Sequence, residues 1–461
     1  MRKYSDLIGQ TFDIPTKEFK IVNNELHFHK INLIEIIKIY GTPLRLSYLP
    51  KIAENIQYAE KIFNDAIRKN KYAGNYTYTY CTKSSHFRFI IEEVLSNGSH
   101  IETSSAYDIS IVWSMFFSGN LSKSHYIICN GFKHSLYVQK VTELLNADFK
   151  NCLPILDNVH EIDYYRQNVL KDFKVGIRIA ADEAPDSSFH TSRLGMQYND
   201  IISFYKEKIE GTKAKLKMLH FFINTGINDT AYYWSELNRF IYKYCELKKI
   251  CPDLDSFNIG GGFPVKNNLY CDYDYPYMAK QIIENIQWMC KKNHVPVPNI
   301  FTEFGNFTVG ESGAILYSVM DQKVQNDKEL WYMVNGSFIT HIPDIWGSNE
   351  KYILLPVNRW NSPYHKVSLG GLTCDSMDYY DSERHTEEVF LPQYDKNETL
   401  HLGFFHTGAY QEALGGYGGI QHCLIPAPKH IIIDKDKNGN TRHKLFAPEQ
   451  ESSSMMKILG Y

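Results

Sequence analysis

The sequence contains no run near the roughly 20 apolar residues that a helix needs to cross a bilayer. Its opening stretch, MRKYSDLIGQTFDIP, lacks the apolar core that a secretory leader carries. Neither sign of charge dominates: 49 Lys and Arg against 52 Asp and Glu leave a formal net charge of −3. That balance gives no electrostatic reason to expect a nucleic acid or an anionic membrane as partner. Basic runs such as KEKIEGTKAKLK are interleaved with acids and read as solvated helix faces. The nine cysteines include no CxxC pair, so neither a metal site nor a disulfide framework is indicated. Free thiols in a reducing cytoplasm are expected instead. No GxGxxG follows the first strand-like segment, which counts against a dinucleotide-binding open sheet.

What is present is alternation. Short apolar runs stand at 76–82, 100–103, 126–130, 153–157, 175–180, 217–224, 256–261 and 299–303. Between them lie amphipathic patterns, as in TAYYWSELNRFIYKYCELKK, where Trp234, Leu237, Ile241, Tyr244 and Cys245 fall on one helical face. Strand–helix alternation implies a parallel sheet, and about eight units over about 250 residues match a closed (β/α)8 TIM-like barrel. After residue 310 the texture is β-type, broken by Gly, Pro and Asn. The expected organisation is an N-terminal segment, 1–40, joining a β domain; a barrel, 41–308; and a C-terminal β domain, 309–461.

In such a barrel the polar chemistry gathers at the C-terminal ends of the strands. The first strand, YTYTYCT, has tyrosines on one side and Thr77, Thr79 and Cys81 on the other, and that second side ends at Lys83. An amine buried there is desolvated, which favours its neutral, nucleophilic form. SFNIGG runs into Gly260-Gly261-Gly262, where backbone N–H groups can approach an anion such as phosphate. NIFTE ends at Glu303. Amine, phosphate cradle and carboxylate on one rim are what pyridoxal phosphate requires.

Together these segments resemble the fold-type III pyridoxal-phosphate decarboxylases, barrel enzymes of the alanine racemase-like fold that include ornithine, diaminopimelate and biosynthetic arginine decarboxylases. The shared motifs run in order as YCTKSS, IETSSAYDI, VGIRIA, SRLG, LHFFINTG, NIGGGFP, TEFGNFTVGESGAIL, LTCDSMD and TGAYQEALGGYGG. The resemblance implies that Lys83 carries the cofactor. It implies that Thr225, Gly261, Gly262 and Tyr410 hold the phosphate, with Gly305 and Asn306 nearby. Glu303 would pair with the pyridine nitrogen, and Arg178 would lie near the cofactor. Glu102 and Asp108 match acidic positions after the second strand. Cys374 would protonate the α-carbon, and Asp375 would meet the cationic end of the substrate. In the family the Cys374 segment reaches into the partner's barrel, so a homodimer with interfacial active sites is expected.

The run SFITHIPDIWGSNEKYILLPVNRW before LTCDS is most similar to biosynthetic arginine decarboxylase, which makes arginine the expected substrate, agmatine the product and polyamine synthesis the role. Asp344 would be a second acid for the guanidinium. Ornithine, lysine, diaminopimelate or a carboxylated polyamine are the alternative substrates, and a non-catalytic homologue acting by dimerisation is the alternative role. Two positions depart from the family: Phe222 replaces the histidine that stacks on the cofactor ring, and Asn306 replaces a phosphate-region arginine. Losing that arginine would weaken cofactor binding by about 1–3 kcal/mol without compensation.

Overall fold

Strands buried on both faces leave no edge exposed only if the sheet closes on itself. The eight segments expected as strands do so in the computed structural model. They are β1 (Tyr76–Cys81), β2 (His100–Thr103), β3 (Ile127–Cys129), β4 (Cys152–Leu156), β5 (Phe173–Arg178), β6 (Ala214–His220), β7 (Ser256–Asn258) and β8 (Asn299–Phe304). All pair in parallel, in chain order, and β8 closes onto β1. The structure describes residues 17–182, 191–267, 269, 273–383, 387–416 and 418–461. Residues 1–16 with their FDIP, and Cys271, lie outside the described residues.

The alternation of β1 sorts its side chains as expected. Tyr76 stacks on Phe63 of the helix Pro50–Lys69, with ring centroids 4.4 Å apart. Tyr78 and Tyr80 reach outward to Thr308 Oγ1 at 2.7 Å and to the Ser85 carbonyl at 2.9 Å. Inside, Ile128, Leu153, Ile155, Met218 and Phe301 form one buried cluster. They come from β3, β4, β6 and β8; β8 neighbours none of the other three, so the cluster meets across the barrel axis.

The helix Ala231–Lys248 starts where Thr230 accepts the Tyr233 N–H at 3.1 Å. It buries Tyr233, Leu237, Ile241, Tyr244 and Cys245. Trp234, expected on that face, is only partly buried, and its indole N–H donates to Asp229 Oδ1 at 2.6 Å. The apolar stripe is therefore centred one residue earlier.

The chain divides into two compact units, one holding Ala53–Pro264 and Tyr273–Thr308, the other Met1–Ile52, Val265–Asp272 and Val309–Tyr461. The second is built on a ten-stranded sheet and a three-stranded one. Leu44–Tyr48, assigned from sequence to the barrel region, pairs antiparallel with Gly313–Val324 and parallel with Lys429–Lys435. Its Leu44, Leu46 and Tyr48 join a core cluster with Leu316, Phe405 and Ile431. In the three-stranded sheet of Phe19–Val22, Glu25–Phe28 and Ile31–Asn32, the Leu26 N–H donates to the Val357 carbonyl at 2.7 Å.

This unit also buries a charged cluster. Burial alone would raise the Glu18 carboxyl, but the charge and hydrogen bond of His406, followed by His29 and Lys51, hold it down at about 2. Burial would lower His406, yet Glu18 and then Glu311 raise it. Lys51 in turn pairs with Glu311 at 2.7 Å, and burial drives His29 down to about 4. Glu18 contributes its stability fully above its usual 4.5 and loses it as the pH falls toward 2. His406 contributes fully below its usual 6.5 and loses that as the pH rises through its elevated value. The Glu18 contribution amounts to about 3 kcal/mol. Glu18→Gln is expected to lower the unfolding free energy by about 3 kcal/mol at pH 6 and by about half of that at pH 3. Denaturant unfolding at the two pH values measures this, and equal losses would contradict it.

Candidate active site

A strand repeats its facing every second residue. Two residues beyond four of the five members of the interior cluster a polar one follows: Ile128 leads to Asn130, Ile155 to Asp157, Met218 to His220 and Phe301 to Glu303, while Leu153 leads to Ile155 itself. These side chains form a polar layer at the C-terminal ends of the strands, above the apolar plug.

Glu303 is the centre of that layer and is 6% exposed. Its Oε1 accepts from Asn258 Nδ2 at 2.7 Å, and its Oε2 accepts from Asn130 Nδ2 at 2.9 Å and lies 3.0 Å from His220 Nε2. Burial would raise this carboxyl, but His220, the Lys83 charge and the Asn130 hydrogen bond hold it well below the usual carboxylate range. Asn130 Nδ2 also reaches Glu102 Oε1 at 3.1 Å, and Glu102 Oε2 accepts from Lys83 Nζ at 3.1 Å. A continuous polar chain thus joins Lys83 to Glu303. Sequence reasoning gave His220, Asn130 and Asn258 no role, although His220 and Asn258 stand within LHFFINTG and NIGGGFP and Asn130 ends the run 126–130. The signal for them was the same parity that marks Glu303.

Lys83 differs from expectation. It sits in the 3-10 turn Thr82–Ser84, just past β1, and its side chain is 45% exposed. It is therefore not the buried strand-end amine expected, and it faces the fully buried Glu102 carboxylate. Gly305 packs against this turn so tightly that a Cβ would collide with the Ser84 hydroxyl. Of the two acids expected after the second strand, Glu102 lies within β2 and meets Lys83. Asp108 instead closes a capping box with Ser105 on the helix Ala106–Phe117 and lies 3.1 Å from His86 Nε2.

The glycine run lies beside the β6–helix loop. Gly262 has φ +106°, and a Cβ there would lie 2.6 Å from the Gly226 Cα. The Gly260 carbonyl accepts the Glu303 N–H at 2.8 Å, which fixes Gly261 next to the carboxylate strand. Thr225 and Phe222 are exposed, and the Arg178 guanidinium carbon is 5.9 Å from the Phe222 ring centroid. Asn306 is exposed and opens the short helix Asn306–Val309.

The residues fit a pyridoxal phosphate. Thr79 Oγ1, Ser84 Oγ, Asn130 Oδ1, Arg178 Nε and His220 Nδ1 are buried with no hydrogen-bond partner among the described residues. They surround an amine, an ionised carboxylate suited to a protonated ring nitrogen, and a glycine cradle.

The remaining expected residues belong to the second unit. Cys374 and Asp375 lie in the loop LTCDSMD, which is organised by buried Asp378. Asp378 Oδ2 accepts from the Thr373 N–H and hydroxyl at 3.0 and 2.8 Å, and Oδ1 accepts the Phe338 N–H at 2.7 Å. Cys374 is exposed. Asp344, on the helix Pro343–Gly347, accepts from the Gln411 side-chain amide at 2.9 Å. Tyr410, next to Gln411, is left-handed with φ 68°.

Residues 59–310 match the pyridoxal-binding domain of the pyridoxal-dependent decarboxylases, and the chain belongs to that family. It is a pyridoxal phosphate-dependent decarboxylase with an alanine racemase-like barrel and β domain. The biosynthetic arginine decarboxylase of Prochlorococcus marinus (strain MIT 9215) is 21% identical over 568 aligned positions, covering 96% of this chain and 86% of the relative. Arginine decarboxylase 1, chloroplastic, of Arabidopsis thaliana is 22% identical over 89% of this chain and 74% of the relative. Among solved structures, the biosynthetic arginine decarboxylase SpeA of Campylobacter jejuni superposes with TM-score 0.82 at 19% identity, covering 100% of this chain and 91% of that one. Diaminopimelate decarboxylase from M. jannaschii gives 0.80 at 17% identity, covering 96% and 97%. At these identities the structural likeness establishes the fold.

Gly262→Ala places a Cβ against Gly226 in a backbone region that L side chains rarely adopt. The variant is expected to keep its far-ultraviolet dichroism but to bind pyridoxal phosphate at least about 10-fold more weakly, by about 1.4 kcal/mol or more. Absorbance titration with the cofactor measures this; unchanged affinity would remove the glycine run from the cradle.

Proposed function

We propose that this decarboxylase removes the α-carboxyl group of L-arginine, yielding agmatine and CO2 for polyamine synthesis. The observation that carries the reading is the polar chain from Lys83 to ionised Glu303 at the barrel rim, in a protein aligned along nearly its whole length with arginine decarboxylases.

In this reading Lys83 holds the cofactor, oriented by Glu102. Thr225, Gly261 and Gly262 bind the phosphate, with Gly305, Asn306 and Tyr410 completing its surroundings. Glu303 accepts the proton-bearing ring nitrogen, and His220, Asn130 and Asn258 keep the carboxylate ionised for that purpose. Arg178 and Phe222 flank the site. Bound pyridoxal phosphate supplies an electron sink for the charge left on the α-carbon when CO2 departs. Cys374, contributed by a second copy of this chain, delivers the proton to that carbon; a thiol with an ordinary value near 8.5 can do so near neutrality. Asp375 and Asp344 accept the N–H groups of the guanidinium, whose planar fork suits two carboxylates.

A homodimer with interfacial sites and a cytoplasmic location complete the proposal. All eight described cysteines outside position 271 are free, and no described helix is long and apolar enough to cross a membrane, as a cytoplasmic enzyme would have it.

The test is a panel of arginine, ornithine, lysine, diaminopimelate and carboxynorspermidine with wild type and Lys83→Ala, following CO2 and product. Arginine is expected to give the highest kcat/KM, with Lys83→Ala slower by more than about 1,000-fold. Asp375→Asn is expected to raise KM for arginine by about 10- to 100-fold, the loss of one charge-assisted hydrogen bond. Equal activity of wild type and Lys83→Ala overturns the chemistry; preference for another substrate overturns the assignment to arginine alone.

A further inference from the structure

Two thiols far apart in sequence stand together on the second unit. Cys374 Sγ and Cys423 Sγ are 3.3 Å apart across a separation of 49 residues, and both side chains are exposed. Cys374 rides on the loop fixed by Asp378. Cys423 sits in the turn His422–Leu424, where Cys423 and Leu424 adopt left-handed φ values of 52° and 53°. His422 Nε2 lies 3.7 Å from Asp375 Oδ2, so the same two loops meet at a second point.

We propose that Cys374 and Cys423 are a thiol modification site that closes into a reversible intrachain disulfide when it meets a low-molecular-weight disulfide. A disulfide needs about 2.05 Å between its sulfurs, so closure takes an approach of about 1.2 Å. Side-chain rotation in two exposed loops covers that distance. One cysteine thiolate attacks the small disulfide, forming a mixed disulfide and expelling one thiolate. The second cysteine, deprotonated, attacks the protein-side sulfur and expels the other. The two protein thiols are oxidised, the small disulfide is reduced to two thiols, and the two cysteine protons pass to the expelled thiolates. The consequence for activity rests on the reading of Cys374 as proton donor; the disulfide itself does not.

The rival chemistry is a soft divalent cation. Cys374, His422 and Cys423 each offer an atom, and these lie within 4.8 Å of one another. Three exposed groups fall one ligand short of a closed structural zinc site, and His422 already faces Asp375. The disulfide needs only the two sulfurs, which are in contact.

The holoenzyme is incubated with glutathione disulfide, alkylated, digested and analysed by mass spectrometry beside an activity assay. A peptide linking Cys374 to Cys423 is expected, forming in step with a loss of roughly 100-fold in activity, the size expected when a general acid is removed. Dithiothreitol restores both. Cys423→Ser, with unchanged basal activity, is expected to trap one glutathione on Cys374 and to form no link. A link without loss of activity supports the disulfide and overturns Cys374 as proton donor. Wild type carrying glutathione on Cys374 without a link overturns the proposal. So does stoichiometric zinc shielding both thiols from alkylation, reversed by EDTA, when no link forms under oxidant.

Discussion

An ionised carboxylate inside a barrel is the constraint on which the site turns. Taking a carboxylate out of water costs several kcal/mol even after relaxation, and Glu303 is buried. It stays charged because donors from β6, β7 and the residue just past β3 converge on its two oxygens. Each donor stands on the inward parity of its strand. A slip of one residue in β8 would present Thr302 or Phe304 in place of Glu303 and break every one of these bonds at once. Barrel register and site electrostatics are therefore the same requirement. The apolar cluster below, from Ile128 to Phe301, enforces it, because the slip that misplaces Glu303 also drives Phe301 out of the core.

Lys83 gains its setting from that network and not from burial. Its side chain is half-exposed, and a fully buried Glu102 holds the amine from one side. The charge-assisted hydrogen bond to that carboxylate aims the amine. Asn130 then ties Glu102 to Glu303, so the position of the amine and the charge of the carboxylate are set by shared partners.

All eight barrel strands were legible because a parallel sheet buried on both faces must be written as short apolar runs. Lys83, Glu303 and the glycine run were legible because they stand where those runs stop. Leu44–Tyr48 was not, since its partners Gly313–Val324 and Lys429–Lys435 lie hundreds of residues away and five alternating residues fit either sheet. Glu102 and Asp108 looked alike from sequence; the boundary of β2, which leaves Glu102 within the strand and Asp108 on a helix, separates their work. The roles of His220, Asn130 and Asn258 stayed hidden because an isolated polar residue in or at the end of an apolar run does not show from sequence which neighbour it meets across the barrel. The contact of Cys374 with Cys423 depends on two loops and has no periodic pattern at all.

Phe222 shows how one departure from the family pattern can sit within this charge balance. Its ring lies near the Arg178 guanidinium, and an aromatic face attracts such a cation by about 0.5–2 kcal/mol. A histidine at 222 would offer the same flat face for stacking, but once protonated it would set a second positive charge against Arg178. With phenylalanine there, the attraction does not depend on pH. Arg178 then faces Asp157, Glu303 and Glu102 as a fixed charge, and His220 is left as the imidazole in contact with Glu303. The substitution removes a titratable group from the rim while leaving the carboxylate network beneath it intact.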